Sequence, residues 1–483
     1  MKKPSIKKNV ILSTAYQLLS IITPFITAPY IARVLGADGV GIVSYTESIQ
    51  TYFSMFAALG TVGYGTREIA RVRNNVAARS KLFFEIELLT VLATAFCLLL
   101  WFVWIYANVN YRVYYLVWTM TILSVMFDIS WLYMGMEQFQ YIVYRNAFFR
   151  ILGIVALFLF VKTHDDLAIY IAITAGSALL GNLSMWLYLP KMIVRVDWRH
   201  LRIWPHFKET LIYFIPTIAT SIYTVLDKTL LGVFVGSAVE NGYYEQTTKI
   251  IRISQSLTFV ALNSVLQARM SLLFAEQKFA EIHERIKKSI DYILFMGFGV
   301  VFGLIGVADV FVPWFFGPGY DKVIPLLQLM SPIILIIGIS NCLGSQYYTP
   351  AGLRKTSAKF IVLGSIVNLL LNLILIPYLW SYGAVISSLV AEFLISALYL
   401  RYCGDYLTLN ILFVKGWRKF ISGLIMLMVI RCIFNIFNAS FTTFFIQVIS
   451  GVIIYFFSLH ILKDSFLTYF YKSVLLEKLH RFL

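Results

Sequence analysis

Residues 222–236 read IYTVLDKTLLGVFVG, an apolar stretch with a carboxylate and an ammonium side by side at Asp227 and Lys228. The stretch belongs to a longer apolar run, roughly 210–235, which at 1.5 Å per helical residue is long enough to cross the ~30 Å hydrocarbon layer of a bilayer. An isolated charge inside that layer costs about 2.5–3.5 kcal/mol on the insertion scale. Two such charges need a wet cavity, a partner helix or each other. Adjacent residues on a helix point about 100° apart, so the two need not pair directly.

Runs of this kind recur along the whole chain. Of 483 residues, 59% are hydrophobic and only 13% charged, whereas a soluble domain is about one-quarter charged. The pattern predicts about fourteen spans, at roughly 10–31, 41–62, 82–106, 112–134, 141–161, 167–189, 210–235, 249–273, 289–312, 323–344, 357–377, 382–400, 418–437 and 441–461. The runs are continuous, and far longer than the alternating strands of about ten residues that build a membrane barrel. The expected fold is therefore an all-α polytopic membrane protein. The first run follows the basic start MKKPSIKK, carries Pro24 and Pro29 and shows no persuasive cleavage site, so it reads as a retained first span. Cys97, Cys342, Cys403 and Cys432 have no paired spacing and imply neither disulfides nor a metal site.

Lysine and arginine set the orientation. With the N-terminus inside, the outer loops hold only Arg33, Arg112, Lys162, Lys249 and Lys322 of the 40 basic residues. Lys228, Arg252 and Arg431 lie within spans, and the remainder fall on inner segments or the adjoining span ends. This bias and attraction to anionic lipid account for the net charge of +16 without nucleic acid. No G-x-x-x-x-G-K-[ST] phosphate loop is present, and the outer loops are too short for an external catalytic region. The chain reads as a transporter rather than an enzyme. The inner connections around 190–209 and 274–288 are expected to form surface helices, the second with i,i+4 pairs Glu281–Arg285 and Glu284–Lys288. The C-terminal KDSFLTYFYKSVLLEKLHRFL is expected along the inner interface.

The join between the first two spans, RVLGADGVGIVSYTESI, resembles the join between the seventh and eighth, GVFVGSAVENGYYEQTTKI. Gly36 to Gly41 corresponds to Gly236 to Gly242 with one extra residue. The copies are six spans apart and so share an orientation, the mark of a parallel repeat. The expected organisation is two six-helix lobes around a central cavity, residues 1–200 and 201–405, with two further helices and an interfacial tail in 406–483. The first two spans of each copy also carry polar stripes at helical spacing. These are Ser13, Gln17, Ser20, Pro24 and Thr27 on span 1, Glu47, Thr51 and Ser54 with Gln50 alongside on span 2, Thr217, Thr220, Thr224 and Asp227 on span 7, and Arg252, Ser256, Asn263 and Gln267 with Gln255 alongside on span 8. The stripes predict that Gln17, Glu47, Thr51, Thr220, Thr224, Gln255 and Asn263 line a cavity, against the alternative of helix–helix hydrogen bonding. Lys228 lies about 27 Å along span 7 from its inner end, at a depth comparable with Arg252 and with Arg33 just beyond span 1.

PYIARVLGADGVGIVSYTESI and DKTLLGVFVGSAVENGYYEQTTKI together resemble the oligosaccharide flippases of the polysaccharide transporter family (Wzx type), within the multidrug/oligosaccharidyl-lipid/polysaccharide exporter superfamily. The resemblance extends over essentially the whole chain. It implies alternating-access transport of undecaprenyl-pyrophosphate-linked repeat units from the inner to the outer leaflet of the bacterial cytoplasmic membrane, with both termini cytoplasmic. The motifs carry over Arg33, Asp227 and Lys228, and the stripe alone adds Arg252; Arg33, Lys228 and Arg252 are the expected pyrophosphate-binding cluster, and Asp227, Glu47, Asp128 and Glu392 the candidate sites for a coupling Na⁺ or H⁺. No other cofactor is expected. Expected partners are the lipid-linked oligosaccharide, anionic lipids, and the polymerase and other polysaccharide assembly proteins. The alternatives left open are a lipid II flippase or multidrug cation antiporter of the same superfamily, and a non-transporting scaffold of a polysaccharide synthesis complex.

Overall fold

Backbone N–H and C=O groups find no partners in hydrocarbon, so a chain this apolar satisfies them within helices. The computed structural model describes residues 6–437, 440–469 and 471, and their side chains except those of 6–18, 21, 215–217, 219–224, 261, 264–265 and 435. All regular elements among the described residues are helical. By contacts the chain divides into two units, residues 1–242 and 243–483.

The first unit begins with α1 (Ile6–Ala58), which holds two expected spans in one element interrupted at Gly36 (φ 68°, ψ 175°). There follow α2 (Thr61–Val72), α3 (Val76–Ala107), α4 (Arg112–Met126), α5 (Ser130–Gly135), α6 (Phe139–Phe160), α7 (Leu167–Met185) and α8 (Trp204–Val235). The core runs along α1, where Ile31, Leu35 and Ile49 meet Trp101 of α3, Trp118 of α4 and Ile171 of α7. Trp118 Nε1 donates to Thr46 Oγ1 at 3.0 Å, so a hydroxyl inside α1 is held by the neighbouring helix.

Two expectations for the connections are corrected. Residues 190–203 carry only short 3-10 turns at Leu189–Lys191 and Trp198–His200, not a surface helix. The segment is tied down from α3 instead. Arg79 Nε donates to Met192 O at 3.0 Å, and Glu85 accepts from Arg202 N and pairs with His206 Nε2, both at 2.9 Å. Arg79, one of the basic residues read as setting topology, is thus a buried clamp.

The second unit comprises most of α9 (Ala238–Gln255), α10 (Ala261–Ala275), α11 (Phe279–Phe316), α12 (Val323–Met330), α13 (Ile333–Leu343), α14 (Arg354–Leu379), α15 (Ser381–Tyr402), α16 (Leu409–Ile436) and α17 (Phe441–Ile461). Residues 279–288 are not a separate surface helix, because they run on without a break into α11. The expected pairs Glu281–Arg285 (2.7 Å) and Glu284–Lys288 (2.6 Å) are present. Asp291 of α11 accepts from Lys415 Nζ (3.0 Å) and Lys419 Nζ (2.7 Å), and Lys419 also reaches Asp464 at 2.8 Å. Farther along, Arg431 pairs with Asp309 at 2.6 Å. Most of the C-terminal tail lies outside the described residues.

Ten helical stretches among the described residues are long and apolar enough to cross a membrane. The expected number of about fourteen is not reached on length and composition alone. The first stretch, Ile22–Val72, takes in parts of two expected spans, and α8, α10 and α16 fall outside the ten.

The two glycine motifs meet inside the first unit. Gly36 and Gly236 both have left-handed backbones, at φ 68° and φ 65°. A Cβ on Gly41 would lie 1.6 Å from the Ala238 carbonyl oxygen, and one on Gly242 would lie 1.9 Å from the Ala37 carbonyl oxygen. The equivalent glycines of the repeat thus pack reciprocally, each against the backbone of the other copy.

Substitution separates these roles. Gly236→Ala has open space around it and carries only the left-handed penalty of about 1–2 kcal/mol. Gly41→Ala or Gly242→Ala must push backbone away, and the expected cost equals or exceeds the ~1–3 kcal/mol of core overpacking. Thermal unfolding in detergent followed by tryptophan fluorescence should rank Gly236→Ala as the mildest. In the second unit, Lys419→Met removes the cation between two buried carboxylates and should cost about 3–5 kcal/mol. The same measurement reads it, and a midpoint unchanged from the parent protein would exclude this role for Lys419.

Candidate functional site

Two polar regions are built into the first unit. The first is the seam between α1 and α8. Gly232 allows close approach, since a Cβ there would lie 2.0 Å from the Tyr45 ring. One turn earlier, Thr229 Oγ1 lies 2.9 Å from Ser48 Oγ and 3.2 Å from the Tyr52 hydroxyl. Asp227 and Lys228 immediately precede Thr229 and are only 4% and 8% exposed. Asp227 is close enough to Tyr52 to act on it electrostatically. Glu47 and Thr51 are half-buried on the facing part of α1. The Thr51 hydroxyl donates back to Glu47 O at 2.7 Å, so it is engaged within its own helix.

The second region is a cavity of about 450 Å³ enclosed by α1, α6 and α7, with Arg145 and Arg150 in its lining. Arg145 Nη1 donates to Asn182 Oδ1 at 2.8 Å and its Nε to Asn146 Oδ1 at 2.9 Å. Arg150 donates to Ser20 Oγ. Thr23 and Thr27 of α1 and Thr174 and Ser177 of α7 supply further hydroxyls. Small residues make the room, among them Gly153, where a Cβ would lie 3.0 Å from Ser177 Oγ. The space suits an anionic, hydroxyl-bearing group, because guanidinium donors in a fixed fork match phosphate oxygens.

The sequence-predicted residues are divided between places. Ser20 and Thr27 of the span 1 stripe do reach a polar cavity, through Arg150 and as lining. Lys228 is buried at the seam, whereas Arg33 is exposed, less than one turn before Gly36. Arg252 is exposed on α9 in the second unit, and Gln255 there is half-buried. Asn263 is buried in a helix-bridging network, donating to Asn341 Oδ1 at 2.7 Å and accepting from Gln346 Nε2 at 2.8 Å. Gln346 in turn accepts from Ser289 Oγ at 2.9 Å. Gln17, Thr220 and Thr224 lie outside the described side chains.

Of the acidic candidates, Asp128 accepts from Ser130 N at 3.0 Å just before α5, and Glu392 is buried on α15. Asp128 also has a neighbour that sequence reasoning missed. Glu87 of α3 is buried beside it, and neither Glu87 carboxyl oxygen has a hydrogen-bond partner. Arg145 and Arg150 were missed too, because they read as basic residues at an inner span end. The available signal was the stripe Thr174, Ser177 and Asn182 on the next span, which needs a polar surface opposite. Among the described residues, no three His, Cys, Asp or Glu side chains come together as metal ligands.

Comparison with known proteins places this architecture. The chain matches the polysaccharide biosynthesis protein family over residues 6–274. It is 24% identical over 409 residues to the Escherichia coli (strain K12) protein named "Putative O-antigen transporter", covering 83% of this chain and 97% of that one. The Shigella dysenteriae protein of the same name is 26% identical over 394 residues, covering 80% of this chain and 98% of that one. In fold, the chain is similar to the lipid II flippase MurJ in an inward closed conformation, with a TM-score of 0.74 at 15% identity over 97% of this chain and 99% of that one. It is also similar to an inward-facing multidrug resistance MATE family transporter of the MOP superfamily, with a TM-score of 0.54 at 12% identity over 85% of this chain and 99% of that one. An all-helical, multi-pass membrane chain with these matches belongs to the polysaccharide biosynthesis protein family, the Wzx-type polysaccharide transporters that its two glycine loops resemble.

Proposed function

We propose that the protein is a flippase for undecaprenyl-pyrophosphate-linked oligosaccharide repeat units. It carries them from the inner to the outer leaflet of the bacterial cytoplasmic membrane by alternating access, with both termini in the cytoplasm. The observation that carries the reading is the α1–α6–α7 cavity, where Arg145 and Arg150 stand among hydroxyls and amides. Such a lining can replace the hydration shell of a sugar pyrophosphate, and the polyprenyl chain stays in hydrocarbon. In this reading Arg145 and Arg150 join Arg33, Lys228 and Arg252 as anion-binding groups. The relatives named as O-antigen transporters support the substrate class. The MurJ-like fold supports lipid II as the second reading. Anionic lipids at the basic surface, and the polymerase and other polysaccharide assembly proteins, complete the proposed partners.

An inward-negative potential favours outward movement of an anion by about 2.3 kcal/mol per charge per 100 mV. Coupling to Na⁺ or H⁺ would act through buried carboxylates. Asp128 with Glu87 is the best supported pair, and Asp227, Glu47 and Glu392 are the other candidates.

Deletion of the gene should cause the lipid-linked oligosaccharide repeat unit to accumulate in the inner leaflet. Accumulation of lipid II instead, seen by mass spectrometry of extracted lipids, selects the second reading. Losing one charge-assisted contact should weaken binding about 10- to 100-fold, or ~1.5–3 kcal/mol. Arg150→Ala, Arg145→Ala and Lys228→Ala should show this in export assays while protein still reaches the membrane. Lys228→Arg should keep part of the activity, because the charge survives and the geometry changes. Full export by Arg150→Ala would remove the α6 cavity from the site. Glu87→Gln and Asp128→Asn should alter the pH or Na⁺ dependence of export in vesicles, leaving substrate binding near that of the parent protein.

A further inference from the structure

A groove of about 610 Å³ lies on the same unit between the C-terminal part of α1 and the middle of α3. Tyr52, Phe53, Phe56, Phe96 and Phe207 supply aromatic walls, and Leu89, Leu92 and Ala93 part of the floor. Polar atoms are almost absent from its surface. The groove is open on one side, where Phe56, Leu92, Phe96 and Leu100 are between 47% and 61% exposed. From Leu89 to Leu100 it follows α3 for roughly 16 Å at 1.5 Å per residue. That is about half of the ~30 Å hydrocarbon layer, the depth of a single leaflet.

The two ends differ. At one end Phe207 lies on the first turns of α8 beside exposed Lys208, whose ammonium sits 6.0 Å from the Trp204 ring centroid. Trp204 is itself 66% exposed. Exposed tryptophan with lysine is the signature of a membrane–water interface. At the other end the Tyr52 hydroxyl contacts Thr229, the residue that follows Lys228. A molecule lying here has hydrocarbon along its length and a cation available where its chain meets the surface.

We propose that this groove binds the head-proximal part of the polyprenyl chain of the lipid-linked saccharide, with the pyrophosphate first held at the Lys208 end, before the head group passes to the Arg145 and Arg150 cavity. The identity of the chain rests on the flippase reading above. Bilayer and groove are equally apolar, so transfer between them has no hydrophobic driving force, and packing decides the occupant. A methyl-branched, unsaturated isoprenoid presents methyl groups and double bonds to ring faces at each unit. A straight acyl chain makes fewer dispersion contacts over the same length. Ala93, the smallest side chain of the lining, leaves the depth that a branch requires.

The test uses full-length protein in nanodiscs with a diazirine-tagged polyprenyl pyrophosphate bearing one N-acetylglucosamine. Photolabelling mapped by mass spectrometry should mark residues 52–59 and 89–100. Unlabelled polyprenyl pyrophosphate should compete, and phosphatidylglycerol should not. Ala93→Trp fills the groove and should reduce this labelling about tenfold or more, equivalent to ~1.4 kcal/mol. Leu89→Trp is read in parallel, each variant on monodisperse protein, so that one misfolded variant does not decide the result. Equal competition by phosphatidylglycerol would mean a general lipid-chain site and overturn the proposal. Labelling confined to other segments, or unaffected by both tryptophans, overturns it as well. If the groove is labelled as expected but liposomes show no transfer of the saccharide, the flippase reading fails and the groove stands.

Discussion

Lys419 is fully buried, and its ammonium contacts Asp291 on α11 and Asp464 beyond α17. An unpaired charge at that position would face several kcal/mol of desolvation, so the helices that carry the partners have to lie where the ammonium can reach both. The same constraint recurs at Arg431 and Asp309, at Arg79 and the Met192 carbonyl, and at Arg150 and Ser20. Dispersion alone packs apolar helices with little preference for register. The scarce charges supply the register.

The repeat shows a second way of fixing helices against each other, with no polar side chains. Gly41 and Gly242 each place backbone against the backbone of the other copy. This contact draws α8, the opening helix of the second copy, onto α1. With α8 and the first turn of α9 held on α1, the compact units divide at residue 242, inside α9. The seam that carries Asp227 and Lys228 follows from that pairing.

Helical class and membrane character were legible in the sequence because each is written locally, in run length and hydropathy. The glycine repeat was legible because its residues are near neighbours in the chain. The Arg145 and Arg150 cavity was not, since the pattern that places basic residues inside cannot separate an arginine facing a headgroup from one facing a serine on another helix. Lys415 and Lys419 read as topology markers for the same reason, although they bind Asp291. Asn263 looked like a cavity residue by periodicity, but its partners Asn341 and Gln346 lie far along the chain and no local spacing announces them. The connection around 190–209 read as a surface helix; from Trp204 it is the start of α8, whereas the ties to Arg79 and Glu85 hold 190–203 in another form.

The 38 residues of α11 form one element from Phe279 to Phe316. At 1.5 Å per residue it is about 57 Å long, nearly twice the hydrocarbon thickness. Its first turns carry the solvent-type pairs Glu281–Arg285 and Glu284–Lys288, and its later part is anchored by Asp291 and Asp309 to α16. Asp291 and Asp309 stand 18 residues apart in α11, about 27 Å at 1.5 Å per residue. Two ties that far apart to one neighbour fix the direction of α11 as well as its position, so α11 and α16 are braced as a single strut across most of the hydrocarbon layer.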